Sequence, residues 1–225
     1  MDYSVFKTDH WNNNLSPKER RIALRELERE MARSQKRKAR KIVFKFMDKN
    51  KCGYYEDGKK LPRKFLYINK YFLTSDEPDR NYILMNTVIH EGRHAYQDDV
   101  LKGKVSRDTL DDEKVKLWKM NSIIRNDAKG NFTKYRFQPR EDDAYNFAYD
   151  VMEGLRYLLD DVYRCYMDGQ KAQREYWEFD AKNYYGDSPD LNYKQIIEKK
   201  LARKYYDFIL KKKLNRIKYR KVQGI

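Results

Sequence analysis

His90-Glu91-Gly92-Arg93-His94 sets two imidazoles four residues apart, with a carboxylate beside the first. The chain holds only three histidines in 225 residues, and this stretch uses two of them. On a helix, positions i and i+4 project from one face. Two imidazoles so placed can share one zinc ion, and the adjacent glutamate can hold the water that the metal activates.

A catalytic zinc site needs a third protein ligand and one position for water. The remaining histidine, His10, lies in the polar stretch Trp11-Asn12-Asn13-Asn14 and reads as a solvated surface residue. The third ligand is then expected to be a carboxylate. The best region is Gln138-Pro139-Arg140-Glu141-Asp142-Asp143. Pro139 suits a helix start, and acids suit the positive end of the helix dipole, so a plain capping role for these acids stands beside the metal reading. Ala144, Phe147, Ala148, Val151 and Leu155 mark the packed face of that helix, and the small alanines let a second helix approach. Glu141 is the favoured ligand. Asp143 is an alternative ligand, or a side chain that holds a histidine or Arg93 in place. Asp98, one turn after His94, ranks lower, because three ligands in one column of one helix close a tetrahedral face poorly.

The motif must sit on a helix. Pro78 follows Ser75-Asp76-Glu77, a helix-start signal. Met85, Val88, Ile89, Ala95, Tyr96 and Val100 recur at helical spacing, and Gly103 is a stop signal. One helix is therefore expected over about residues 78–101. Gly92 inside it costs about 1 kcal/mol relative to alanine, which predicts either close approach of another group or a neutral packing position. Arg93 needs a carboxylate partner or an exposed face. Upstream, Phe65 to Leu73 is rich in aromatic and branched residues and reads as a strand, with Gly53-Tyr54-Tyr55 as its partner across a turn at Asp57-Gly58.

His90-Glu91-x-x-His94, with Glu141-x-x-Ala144-x-x-Phe147-Ala148 downstream, resembles the zincin metallopeptidases, and among them the gluzincins. His90-Glu91-x-Arg93-His94-x-x-Gln97 followed by Gln138-Pro139-x-Glu141-x-Asp143-Ala144 is also similar to zincin-like domains carried by phages, mobile elements and polymorphic toxins. The resemblance covers about residues 53–155. It implies a zincin-like core with a small β-sheet before the motif helix, whose edge lines the cleft and can take up a peptide. It implies Zn2+ held by His90, His94 and Glu141, with Glu91 as general base in peptide-bond hydrolysis. A side chain that stabilises the developing oxyanion is expected from Tyr135, Arg136, Tyr145 or Tyr149.

The whole chain bounds the rest. A 40% hydrophobic and 15% aromatic content supplies a real core, and the pass along the residues reads as α+β, mostly helical. A capping box at Ser16-Pro17-Lys18-Glu19 opens a long charged helix toward about residue 40. Asp108 is expected to cap a helix to about Met120, Ala128 to Asn131 to form a loop, and a helix from about 139 to run to Met167 before Asp168-Gly169. Gly186-Asp187-Ser188-Pro189 is a break, after which a last helix begins near Leu191. The domain expectation is a zincin-like domain over 1–185 and a basic amphipathic helix over 186–225, with Ile197, Leu201, Tyr205 and Phe208 as its apolar stripe.

No apolar run of membrane-spanning length occurs, and Met1-Asp2-Tyr3-Ser4-Val5 lacks a signal-peptide pattern. Cys52 and Cys165 form neither a disulfide framework nor a zinc-ligand pair. A cytoplasmic protein is expected, with signal-less export as the toxin-like alternative. The formal charge is +15. Residues 199–221 carry eleven Lys or Arg and one acid, and residues 33–45 carry seven basic residues and no acid. Such charge suits an anionic partner, nucleic acid or acidic protein. Two alternatives to a peptidase follow: a basic nucleic-acid-binding protein, and a non-catalytic zincin-like protein of a phage or mobile element.

Overall fold

Three short strands and eight α-helices are seen among the described residues of the computed structural model, which are all except 58–63, 76, 106–110, 125–131, 186–192 and 223–225. The chain divides into two compact units, Met1–Asp108 with Asp143–Tyr176, and Thr109–Asp142 with Trp177–Ile225. This division differs from the expected boundary at 185/186: the C-terminal helix belongs to a unit that also contains residues 109–142.

In the first unit, a short 3-10 turn (Tyr3–Phe6) and a π turn (His10–Asn14) lead into α1 (Pro17–Ser34). The predicted capping box at Ser16 and Glu19 is present. The helix stops at Ser34, short of residue 40, because the chain turns through Lys36 at φ 51°. The residues that follow form β1 (Lys41–Lys45), a strand that the basic run concealed. Lys41-Ile42-Val43-Phe44-Lys45 carries an apolar centre, with Ile42 buried and both terminal lysines exposed.

The strand β2 (Gly53–Glu56) pairs antiparallel with β3 (Phe65–Asn69), as expected, and β1 pairs parallel with β3, so the order is β1-β3-β2. β3 is shorter than predicted, and Tyr71–Thr74 is a helical turn, α2. Asn69 decides this. Its side-chain amide donates to the carbonyls of Asp48 and Lys51, and its carbonyl accepts from the N–H groups of Met47 and Tyr71. These bonds satisfy the turning backbone where the ladder ends.

The motif helix α3 (Arg80–Leu101) matches the expected span, and Met85, Val88, Ile89, Ala95, Tyr96 and Val100 are all buried. Gly103 adopts φ 66° and closes it. Gly53 admits the helix against the sheet: a Cβ there would lie 2.6 Å from the Tyr67 carbonyl and 2.7 Å from Thr87 Cγ2. Leu24, Leu27, Ile42, Leu66, Ile68 and Leu84 join the same core.

α6 (Pro139–Gly154) and α7 (Asp161–Tyr185) replace the single helix expected to Met167. Asp160 sets the second start. Its carboxylate accepts from Tyr163 N at 2.9 Å, and from Thr8 N and the Tyr82 hydroxyl at 2.6 and 2.5 Å. Gly169 does not end α7; its Cα faces open space.

The second unit contains α4 (Asp112–Ile123), α5 (Phe132–Arg136) and α8 (Tyr193–Val222). Asp111 caps α4; Asp108, the expected cap, and the loop at 128–131, the break at 186–189 and Leu191 lie outside the described residues. Phe137, Ala181 and Ile197 form its buried cluster, with Trp177 packed on it. The α8 stripe is buried at Ile197 and Leu201, but Phe208 is exposed. No helix among the described residues is long and apolar enough to cross a membrane. The thiols of Cys52 and Cys165 are both free.

Candidate metal centre

The centre is built on one face of α3. The His90 and His94 rings stand at 90° with centroids 4.8 Å apart, and Tyr145 of α6 packs its edge on His90 at 4.5 Å. One ligand atom each from His90, His94 and Glu141 lie within 4.8 Å of one another, with His90 and Glu141 buried and His94 partly so.

The alternative carboxylates go elsewhere. Asp143 grips Arg93 with both oxygens, at 2.7 and 3.1 Å, and accepts from Gln97 Nε2 at 2.8 Å. The pair supplies the carboxylate partner expected for Arg93. Arg93 also stacks over Tyr96 and Phe147 at 4.4 and 4.5 Å. Asp98 turns away from the histidines, accepting from Lys64, from Lys102 and from the Tyr55 hydroxyl at 2.9 Å. Burial opposes its ionisation, but these three donors outweigh that and hold its carboxyl below the usual range.

Gln97 connects Asp143 to the centre. A carboxylate paired with Arg93 only accepts, so the Gln97 amide nitrogen faces it and the amide oxygen faces His94 Nδ1 at 2.9 Å. Nδ1 therefore carries the proton, and Nε2 is the ring nitrogen with the lone pair that a metal requires. Gln97 stands three residues after His94, one helical turn on, and sequence reasoning assigned it no role.

Glu91 points toward the sheet. Its Oε2 accepts from the backbone N–H of Tyr55 at 2.7 Å, so the edge strand β2 orients the carboxylate. The Tyr55 hydroxyl meanwhile reaches Asp98 one turn further along the helix, and burial with that neighbouring charge pushes its pKa well above the ordinary phenol value. One strand residue thus fastens β2 to α3 at two heights.

Gly92 has a definite reason. A Cβ there would lie 2.7 Å from Arg37 Nη2 and 3.0 Å from Glu28 Oε2. Glu28 and Arg37 form a bidentate pair at 2.6 and 2.9 Å whose side chains are 1% and 0% exposed. The close approach is to a buried ion pair within the fold.

The start of α6 is held by α4: Asn121 Oδ1 accepts from Arg140 N at 3.1 Å, and its amide donates to Gln138 Oε1 at 2.8 Å. Among the other residues expected near the site, Arg136 is buried and paired with Asp142 at 3.1 Å. Tyr135 rests against Phe132 at 6.1 Å, and Tyr149 lies under Arg174 at 5.1 Å. Tyr145, another of the oxyanion candidates, packs on a histidine of the motif. His10 bonds to Asn14 at 3.3 Å and is outside the cluster.

No protein-family model, curated protein or solved structure matches this chain.

Proposed function

We propose that this chain is a zinc-dependent peptidase of the gluzincin kind, with His90, His94 and Glu141 as metal ligands and Glu91 as general base. The convergence of two imidazoles and a carboxylate within 4.8 Å carries the reading. The donor set suits the ion: neutral imidazole and carboxylate are zinc ligands, and the Gln97–Asp143 connection fixes the tautomer of His94 as metal ligation demands. When bound, zinc lowers the pKa of its water to about 7 and polarises a carbonyl.

The protein's own groups do the rest. Glu91, held by Tyr55 N–H, accepts the proton of the attacking water and passes it to the leaving amine. Tyr145, packed on His90, would donate to the carbonyl oxygen as negative charge develops there. The Arg93–Asp143–Gln97 chain keeps His94 oriented throughout.

Elemental analysis of the purified protein tests the ligands, with about one zinc per chain expected. His94→Ala and Glu141→Ala should each lose the metal, whereas Glu91→Gln should keep it and lose cleavage of a peptide library read by mass spectrometry. Wild-type protein that takes up no zinc overturns the proposal. Zinc retained with equal cleavage by wild type and Glu91→Gln would leave the metal a structural role.

A further inference from the structure

The second half of α8 carries the inference, and it is independent of the metal reading. The helix begins packed within its own unit: it lies against α4, and Ile197 and Leu201 are buried. Past Leu201 that cover ends. No residue over 202–213 is buried, although Tyr205, Tyr206, Phe208, Ile209 and Leu210 all lie there. Tyr205 and Ile209 are half-buried, and Tyr206, Leu210 and Phe208 are 66%, 44% and 42% exposed. Large apolar side chains left open in a cluster mark a surface that meets something apolar.

These residues are sorted around the helix. With about 100° of turn per residue, Arg203, Lys204, Asp207 and Lys211 fall within one arc of about 100°. Every other residue over 201–210 is apolar, and together they fill the remaining arc, about 200° wide. Lys212 and Lys213 enter that broad face one turn further on. From Lys199 to Lys213 the helix carries seven cations against one acid, Asp207, and the basic run continues in sequence through Arg216, Lys218, Arg220 and Lys221.

A broad apolar arc with a cationic remainder has a specific complement. A second copy of α8 brings the same excess of cations and is repelled. Nucleic-acid phosphates satisfy the lysines but leave the apolar arc in water. A protein groove takes a narrower stripe, about 100° of a helix. An anionic bilayer surface takes both halves: the acyl boundary receives the broad face, tyrosine rings rest at headgroup level, and long basic side chains reach lipid phosphates. We infer that residues 202–213 lie in the surface of an anionic membrane, with Tyr206, Phe208 and Leu210 entering the headgroup boundary and Lys211, Lys212 and Lys213 meeting the phosphates. The contact is peripheral, since no helix among the described residues is long and apolar enough to cross a bilayer.

Co-sedimentation of the full chain with lipid vesicles tests this. Vesicles of equal parts phosphatidylserine and phosphatidylcholine should carry the protein down, and pure phosphatidylcholine vesicles should not. Tyr206→Ser/Phe208→Ser/Leu210→Ser alters only exposed side chains. Checked for native circular dichroism, it should lose about tenfold or more in partition to the mixed vesicles. Lys211→Glu/Lys212→Glu/Lys213→Glu should lose about a hundredfold, at about fivefold for each lysine. Should the serine variant not fold, Tyr206→Trp/Phe208→Trp enlarges both rings and should tighten partition. No binding to the mixed vesicles, unchanged partition of a folded serine variant, no tightening by the tryptophan variant, or tighter binding to duplex DNA or poly-glutamate than to the mixed vesicles overturns the inference.

Discussion

α3 buries charged groups on two sides, and the two are built differently. Behind Gly92, Glu28 and Arg37 meet in a dry bidentate pair. The guanidinium also reaches Gln35, and the carboxylate also accepts from Arg40 N. That cluster is a balanced cation and anion closed on itself, as burial of charge requires. On the motif side, an ion pair of the same type, Arg93–Asp143, is not the end of the chain of contacts: it passes through Gln97 to His94, beside which His90 and Glu141 converge. The first side spends its hydrogen bonds on holding itself. The second uses an equivalent pair as an anchor and collects electron-pair donors around one point. Buried charge alone therefore does not distinguish the two sides; the identity of the groups that converge does.

Substitutions on each side test this contrast. The largest effect is expected at Glu91→Gln, which should slow hydrolysis by about 10²–10⁴-fold while zinc content, read by elemental analysis, stays near wild type. On the opposite side, Glu28→Ala leaves Arg37 charged and buried. It should lower unfolding free energy by about 3–5 kcal/mol in urea titrations without changing zinc per folded chain; loss of metal at equal folded fraction would erase the distinction between the two sides. Gly92→Ala acts on the same pair, because the guanidinium that its methyl would meet is locked and cannot swing aside.

Asp143→Asn comes next. It breaks the anchor but leaves all three donors in place, so zinc affinity should fall about 10–100-fold by competition with a chelator. Asp98→Asn is the matched control. It removes an equally buried acid on the same helix, and zinc affinity should be unchanged, because Asp98 serves Lys64, Lys102 and Tyr55.

Asp160 gives a pH test away from the centre. Burial opposes its ionisation, but hydrogen bonds from the Tyr82 hydroxyl and the N–H groups of Thr8 and Tyr163 outweigh it and hold its carboxyl below the usual range. A depressed folded-state pKa stabilises the fold above the ordinary carboxylate range, and that contribution is lost as pH falls through the folded value. Asp160→Asn should therefore destabilise by about 1.5–3 kcal/mol at neutral pH. The gap from wild type should close in acid unfolding titrations; a constant gap across pH would show that the charge contributes nothing.

Much of the site was legible from residue order. Helix periodicity is local, so the span of α3, its buried stripe and the shared face of His90 and His94 followed from spacing. So did the capping box at Ser16 and the pairing of β2 with β3. The errors share one cause. β1 lay hidden in a basic run, because its apolar centre makes sense only once β3 is beside it. β3 ended early because Asn69 binds backbone groups more than fifteen residues away in sequence. The helix from 139 broke at 155–160 because Asp160 finds Thr8 and Tyr82, contacts no window along the chain contains.

The sequence by itself determined which chemistry was on offer: two imidazoles one turn apart, a glutamate between them, and a short list of acids to complete the set. Tertiary structure alone sorted that list. Asp98, Glu141 and Asp143 are the same functional group, and only the partners folded against each send one to lysines, one to the histidines and one to an arginine. A carboxylate's role is set by the charges within a few ångströms of it, and those arrive from distant parts of the chain.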